Sequence, residues 1–121
     1  MEQRQFSQYA RILDRRTHLF RKHGCICPSN DIFMLTLKSI QSHMNDKLRV
    51  YGHVTLNEVY EMLGICKISN GDEVGWTYDE EHPAGDNFVD FGLYEGGDLN
   101  LDFANGFGTK IVLDFNVDEE L

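Results

Sequence analysis

Residues 54–78 read VTLNEVYEMLGICKISNGDEVGWTY, and the spacing of apolar residues changes in the middle of that stretch. On its early side Thr55 and Glu58 match a capping box, Val54 and Val59 match the hydrophobic staple around it, and Gly64 stands where a helix ends in a left-handed residue. A short helix is predicted there. After the turn cluster Ser69-Asn70-Gly71-Asp72 the pattern alternates, with Val74, Trp76 and Tyr78 pointing one way as in a strand. One passage from helical to alternating spacing, without repeated βαβ units, predicts an α+β domain with helices first and an antiparallel sheet after.

Upstream, Phe33, Leu37, Ile40 and Met44 share one face, which predicts a helix over 31–44 with Ser29 or Asn30 as its N-cap and Asp31 in the first turn. Residues 25–30 form a connector broken by Pro28. Before it, Phe6, Tyr9, Leu13 and Phe20 recur at helical intervals up to Gly24, so a first helix is predicted over 2–23. Downstream, Val89, Phe91 and Leu93 predict a second strand, and Ile111, Leu113, Phe115 and Val117 a third. Residues 79–87 between the first two strands are polar and broken, as in an exposed hairpin loop. The glycine-rich stretch 95–108 joins the last two, with a small ordered turn around Phe103 and Phe107. The expected fold is one α+β domain over 1–121. Two longer helices and one short one (1–64) would pack on a C-terminal three-stranded antiparallel sheet (73–118).

With 121 residues, 41% hydrophobic and 26% charged, the composition is that of a folded globular chain and not of a disordered one. No apolar run reaches the roughly 20 residues that cross a bilayer, and MEQRQFSQYAR has no secretion-signal core. The expectation is a soluble cytoplasmic protein with no membrane contact. Three cysteines make no disulfide framework and fit a reducing compartment.

Charge is divided unevenly along the chain. The formal net charge is -9, yet residues 1–50 hold nine of the eleven Lys and Arg against four acids, while residues 51–121 hold two against sixteen. Such a dipole can be neutralised within the fold, pair with a second copy of the chain in a homodimer, or face a basic partner. On a helix, Arg4, Arg11, Arg15 and Lys22 would line one narrow stripe. A phosphate grip is one reading of it and a solvated or internally paired face the other. The acidic remainder would repel nucleic acid, so no direct nucleic-acid binding is expected.

Asp79, Glu80, Glu81, Asp86 and Asp90, with Asp114 and His82 near them, form the densest carboxylate cluster. They could hold Ca²⁺ or Mg²⁺ and so make a metal-binding factor or an enzyme, but they lack the twelve-residue ligand ladder of an EF-hand, and a solvated loop is the plainer reading. His23, Cys25, Cys27 and Cys66 carry the ligand types of zinc at the wrong spacing. There is no Gly-x-Ser-x-Gly, no phosphate loop and no His-Glu-x-x-His, so no catalytic residue and no cofactor is assigned. Trp76, on an alternating strand, reads as core before it reads as a recognition platform.

Three stretches, VTLNEVYEMLGI from Val54, VGWTYDEEHPAGDNFVDFGLY from Val74 and NGFGTKIVLDFNVD from Asn105, resemble an uncharacterised family of small phage and mobile-element proteins of Gram-positive bacteria. Some members of that family carry a membrane-anchored N-terminal segment, whereas this chain begins with a basic amphipathic stretch. The resemblance implies a genetic context and no catalytic residues. The expected function is therefore a non-catalytic interaction protein of the bacterial host cytoplasm with a protein partner. In its sharper form it is an acidic, anti-CRISPR-like anti-defence inhibitor that imitates the phosphate backbone toward a nucleic-acid-binding host protein, with Asp79, Glu80, Glu81, Asp86 and Asp90 as its surface.

Overall fold

The computed structural model describes residues 8–18, 29–78, 88–94, 97–117 and 119–120. In chain order the elements are strand β1 (Arg11–Asp14), helix α1 (Asn30–Tyr51), strand β2 (His53–Thr55), helix α2 (Leu56–Leu63), strand β3 (Val74–Thr77), helix α3 (Asp98–Ala104), strand β4 (Lys110–Leu113) and strand β5 (Glu119–Glu120). The fold is α+β, with α1 packed on β2, α2 and α3.

Helix α1 starts where the sequence places it. The Ile32 N–H donates to Ser29 Oγ at 3.2 Å, and Asp31 stands in the first turn. It runs past Met44 because Leu48 continues the buried stripe of Phe33, Leu37, Ile40 and Met44. It stops at Gly52, whose φ of 82° lets its N–H reach the Leu48 carbonyl at 2.8 Å. The capping box of α2 is formed as read: the Glu58 N–H donates to Thr55 Oγ1 at 3.2 Å and the Thr55 N–H to Glu58 Oε2 at 2.7 Å.

The expected arrangement of helices on a C-terminal three-stranded sheet does not form. The described residues form instead two separate antiparallel sheets, one of order β1-β4 and one of order β2-β3-β5, with strands drawn from early, middle and late parts of the sequence. The predicted first helix fails at its centre, since residues 11–14 are extended and pair with β4 in the register Arg11↔Leu113, Ile12↔Val112, Leu13↔Ile111, Asp14↔Lys110. Leu13 is buried and Ile12 is 63% exposed, which is a strand's alternation and not a helix's. Residues 8–10 and 15–18 are not helical either, residues 2–7 and 19–23 of that predicted helix lie outside the described residues, and so does the predicted loop 79–87.

Residues 89–93 bury Val89, Phe91 and Leu93 as expected but form no strand. The Asp114 N–H donates to the Phe91 carbonyl at 3.0 Å and the Asn116 N–H to that of Asp90 at 3.2 Å, but most of the segment's backbone is held by side chains instead of a ladder. The third predicted strand is formed only as β4, and 95–108 contains the helix α3. The buried apolar residues described, Val112 apart, make one contiguous cluster, in which Phe33 meets Phe103 edge-on at 5.7 Å and Phe91 meets Phe115 at 5.4 Å.

Candidate interaction cleft

Five carboxamide side chains fix the walls around the outer flank of α1. Asn45 Oδ1 accepts from the Val89 N–H at 2.7 Å while its Nδ2 donates to the Val89 carbonyl at 3.0 Å. Gln41 Oε1 accepts from the Phe91 N–H at 2.9 Å. Asn116 Oδ1 takes both the Asp90 N–H at 2.8 Å and the indole N–H of Trp76 at 2.7 Å, and its Nδ2 donates to the Phe88 carbonyl at 3.0 Å. Asn100, buried on α3, donates to the Leu93 carbonyl at 3.1 Å and to the Val112 carbonyl at 2.7 Å, and accepts from the Val112 N–H at 2.7 Å. Asn30 donates to the carbonyls of Phe103 at 3.2 Å and Gly108 at 3.0 Å. An extended segment beside a helix would otherwise bury unmet backbone groups, and these amides meet them.

Two adjacent basins make a groove between α1, α3 and residues 90–94. The first, about 380 Å³, is lined by Asp31, Met34, Leu35, Phe103 and Ala104. The second, about 280 Å³, is lined by Gln41, Asp90, Gly92 and Leu93. Lys38 and Tyr94 line both, with the ammonium 5.1 Å from the centre of the Tyr94 ring, a cation–π contact across the groove. Leu35 and Tyr94 are each 65% exposed, and Leu101, one turn before Ala104 on the same flank of α3, is 59% exposed.

Of the residues singled out in the sequence, Asp79, Glu80, Glu81, Asp86, Arg4, Lys22, His23, Cys25, Cys27 and His82 lie outside the described residues. Asp90 is described and lines the groove, its Oδ1 accepting from the Gly92 N–H at 2.8 Å. Arg11 and Arg15 do not share a helical stripe. Arg11 is in β1, donating to the Gln8 carbonyl at 3.2 Å and the Ala10 carbonyl at 2.8 Å with its guanidinium 5.3 Å from the Tyr60 ring centre. Arg15 follows β1, where its N–H donates to the Thr109 carbonyl at 2.7 Å. Trp76 is core. Among the described residues no three His, Cys, Asp or Glu are grouped to hold a metal ion, and no helix is long and apolar enough to cross a membrane.

Of the titrating groups perturbed away from the groove, His18 and Glu58 are partly buried and tie separate parts of the chain together. Burial holds the half-buried His18 imidazole below its usual value, against the opposing pull of the bond its Nε2 makes to the Leu63 carbonyl. At Glu58 burial pushes the carboxyl up, but the Lys47 ammonium 2.6 Å away and the bonds from Thr55 together outweigh it and hold the carboxyl below its ordinary range. Sequence reasoning missed the groove because its residues are not a motif. The available signals were Leu35, off the buried stripe of α1, and amides at inward positions of helices, such as Asn45 next to Met44.

No curated protein and no solved structure matches the chain. A family model described as "Family of unknown function (DUF6353)" does match, over residues 8–121, and the chain belongs to that family.

Proposed function

We propose that the chain is a non-catalytic interaction protein of a phage or integrated mobile element, working in the cytoplasm of a bacterial host and engaging a protein partner through the α1–α3 groove. The observation that carries this reading is Leu35 and Tyr94, both more than half exposed while lining a groove whose walls are fixed by side-chain amides, with exposed Leu101 one turn before its lining residue Ala104. Large side chains held in water around a preformed concavity cost solubility unless something covers them. The acidic bias after residue 50 favours a basic partner. In its sharpest form the partner is a nucleic-acid-binding defence protein of the host, which the carboxylates would occupy in place of phosphate, as an anti-CRISPR-like inhibitor does.

The test is a photo-crosslinking amino acid placed at Leu35 and, as a control on the far end of α1, at Val50. A stoichiometric protein adduct from host lysate at position 35 alone, lost in the folded Leu101→Asp variant and weakened by added salt, supports the reading. Equal adducts at both positions, or adducts indifferent to Leu101→Asp, overturn it. Adduct formation that does not respond to salt overturns the phosphate-mimic form.

A further inference from the structure

Resting on the reading of the α1–α3 groove as a docking site, we propose that its occupant is an extended segment of a partner protein carrying a basic residue, an apolar residue and a second basic residue at alternate positions.

The shape of the groove argues for an extended chain. From Asp31 to Gln41 the helix α1 rises about 15 Å, which an extended chain covers in about five residues. Two basins of about 380 and 280 Å³ that share Lys38 and Tyr94 suit separate side chains, as alternate residues of an extended segment present them. In an extended segment the residues i, i+2 and i+4 face one side, so three side chains meet the groove.

The charge argues for the order of those three. Asp31 stands at one end of the groove, beside the start of α1. Asp90 stands at the other, next to Phe91, whose N–H is held by Gln41. The cation between them, Lys38, already lies against the Tyr94 ring. Around that pair are Leu35, Met34 and Leu93, an apolar floor and rim. A basic side chain at each end and an apolar one over Tyr94 match this acid–apolar–acid pattern. A phosphate backbone would meet a carboxylate at both ends and is rejected.

The experiment is fluorescence anisotropy with a labelled peptide in which arginines four positions apart flank a central leucine, unstructured residues filling the rest. Comparison peptides replace both arginines by glutamate, or the leucine by serine. The protein variants are Asp31→Asn, Asp90→Asn, which keeps an oxygen for the Gly92 N–H, Leu35→Ser, and Val50→Ser as a remote control, each checked for an unchanged melting temperature. The expected result is binding of the arginine–leucine peptide alone, weakened about tenfold by raising salt from about 50 to 300 mM. Each Asn variant should weaken it about threefold or more, Leu35→Ser likewise, and Val50→Ser should leave it unaltered. Equal binding of the glutamate peptide, or no effect of the Asn variants, overturns the proposal. If the crosslink at Leu35 captures a host protein that the arginine–leucine peptide cannot displace, the docking reading stands and this inference fails. Absence of both signals removes both.

Discussion

The side-chain amide of Asn100 makes to Val112 the two bonds that a neighbouring strand would make, accepting its N–H and donating to its carbonyl, each at 2.7 Å. Strand β4 is thereby closed on the side away from β1, and a helix is joined to a sheet edge without a further strand. Edge strands that keep their outward N–H and C=O groups open are templates for unwanted pairing. Asn100→Leu preserves approximate volume but leaves both Val112 groups and the Leu93 carbonyl without their partner. We expect it to cost about 3 kcal/mol in urea unfolding, with unchanged helix content by circular dichroism. A cost below about 1 kcal/mol would mean that water replaces the amide.

The strand pair β2–β3 depends on a missing side chain. A β-carbon at Gly75 would collide with the Val54 carbonyl oxygen, and since the one is fixed directly to the backbone and the other is part of it, neither can rotate away. Gly75→Ala is therefore expected to destabilise by about 3 kcal/mol, the upper end of overpacking. The same change at Gly97, where nothing lies within 4 Å, meets no such clash. It is strained only by its φ of 71° and should cost about 1 kcal/mol. Paired thermal melts of the two variants check the contrast.

The capping box of α2 and its ion pair can be separated. Thr55→Ala removes the acceptor for the Glu58 N–H and should cost about 1 kcal/mol. Glu58→Gln keeps an oxygen for the Thr55 N–H but loses the charge facing Lys47, whose side chain is about one-third exposed like that of Glu58. Water screens such a pair, so Glu58→Gln should cost less than Thr55→Ala, about 0.5 kcal/mol. Denaturant titration of both variants tests the order.

Acid should weaken the fold in two steps. His18 has its folded-state value held below the ordinary imidazole value, so the unfolded chain takes up its proton first. Stability is full above about pH 6.5 and declines as pH falls from there toward the folded-state value, with a slope of at most one proton. Glu58, held low in the folded state, adds stability that is present above its unfolded value and lost as pH falls further. Replacing His18 by Gln should remove the first step and leave the second. A pH series of urea midpoints for the two proteins measures this.

The parts of this fold that are legible in the sequence are those whose physics is local. Ser29, Thr55, Glu58 and Gly64 declare helix ends because the groups they satisfy lie within a few residues. The stripe of Phe33, Leu37, Ile40 and Met44 declares α1 for the same reason, and so does the alternation around Trp76. Residues 9–14 do not declare themselves, because Tyr9 and Leu13 fit one face of a helix and Leu13 also fits one face of a strand. The partner that decides is β4, about a hundred residues away in sequence. The alternation of Val89, Phe91 and Leu93 marks them correctly as buried, but they form no strand, since the amides that hold residues 89–91 come from α1 and from Asn116. The groove was invisible for a related reason. Leu35 and Tyr94 are far apart in sequence and gain meaning only from lining one groove while exposed.

The pairing of Arg11 with Leu113 also sets a clock on biosynthesis. The two strands are about a hundred residues apart, so at about 5–20 residues per second β1 waits roughly 5 to 20 seconds before β4 is made. In that interval α1, β2, α2 and β3 can already assemble, because their contacts close within the middle of the chain. The β1–β4 pair therefore closes after that middle part has begun to assemble, and synthesis order becomes folding order.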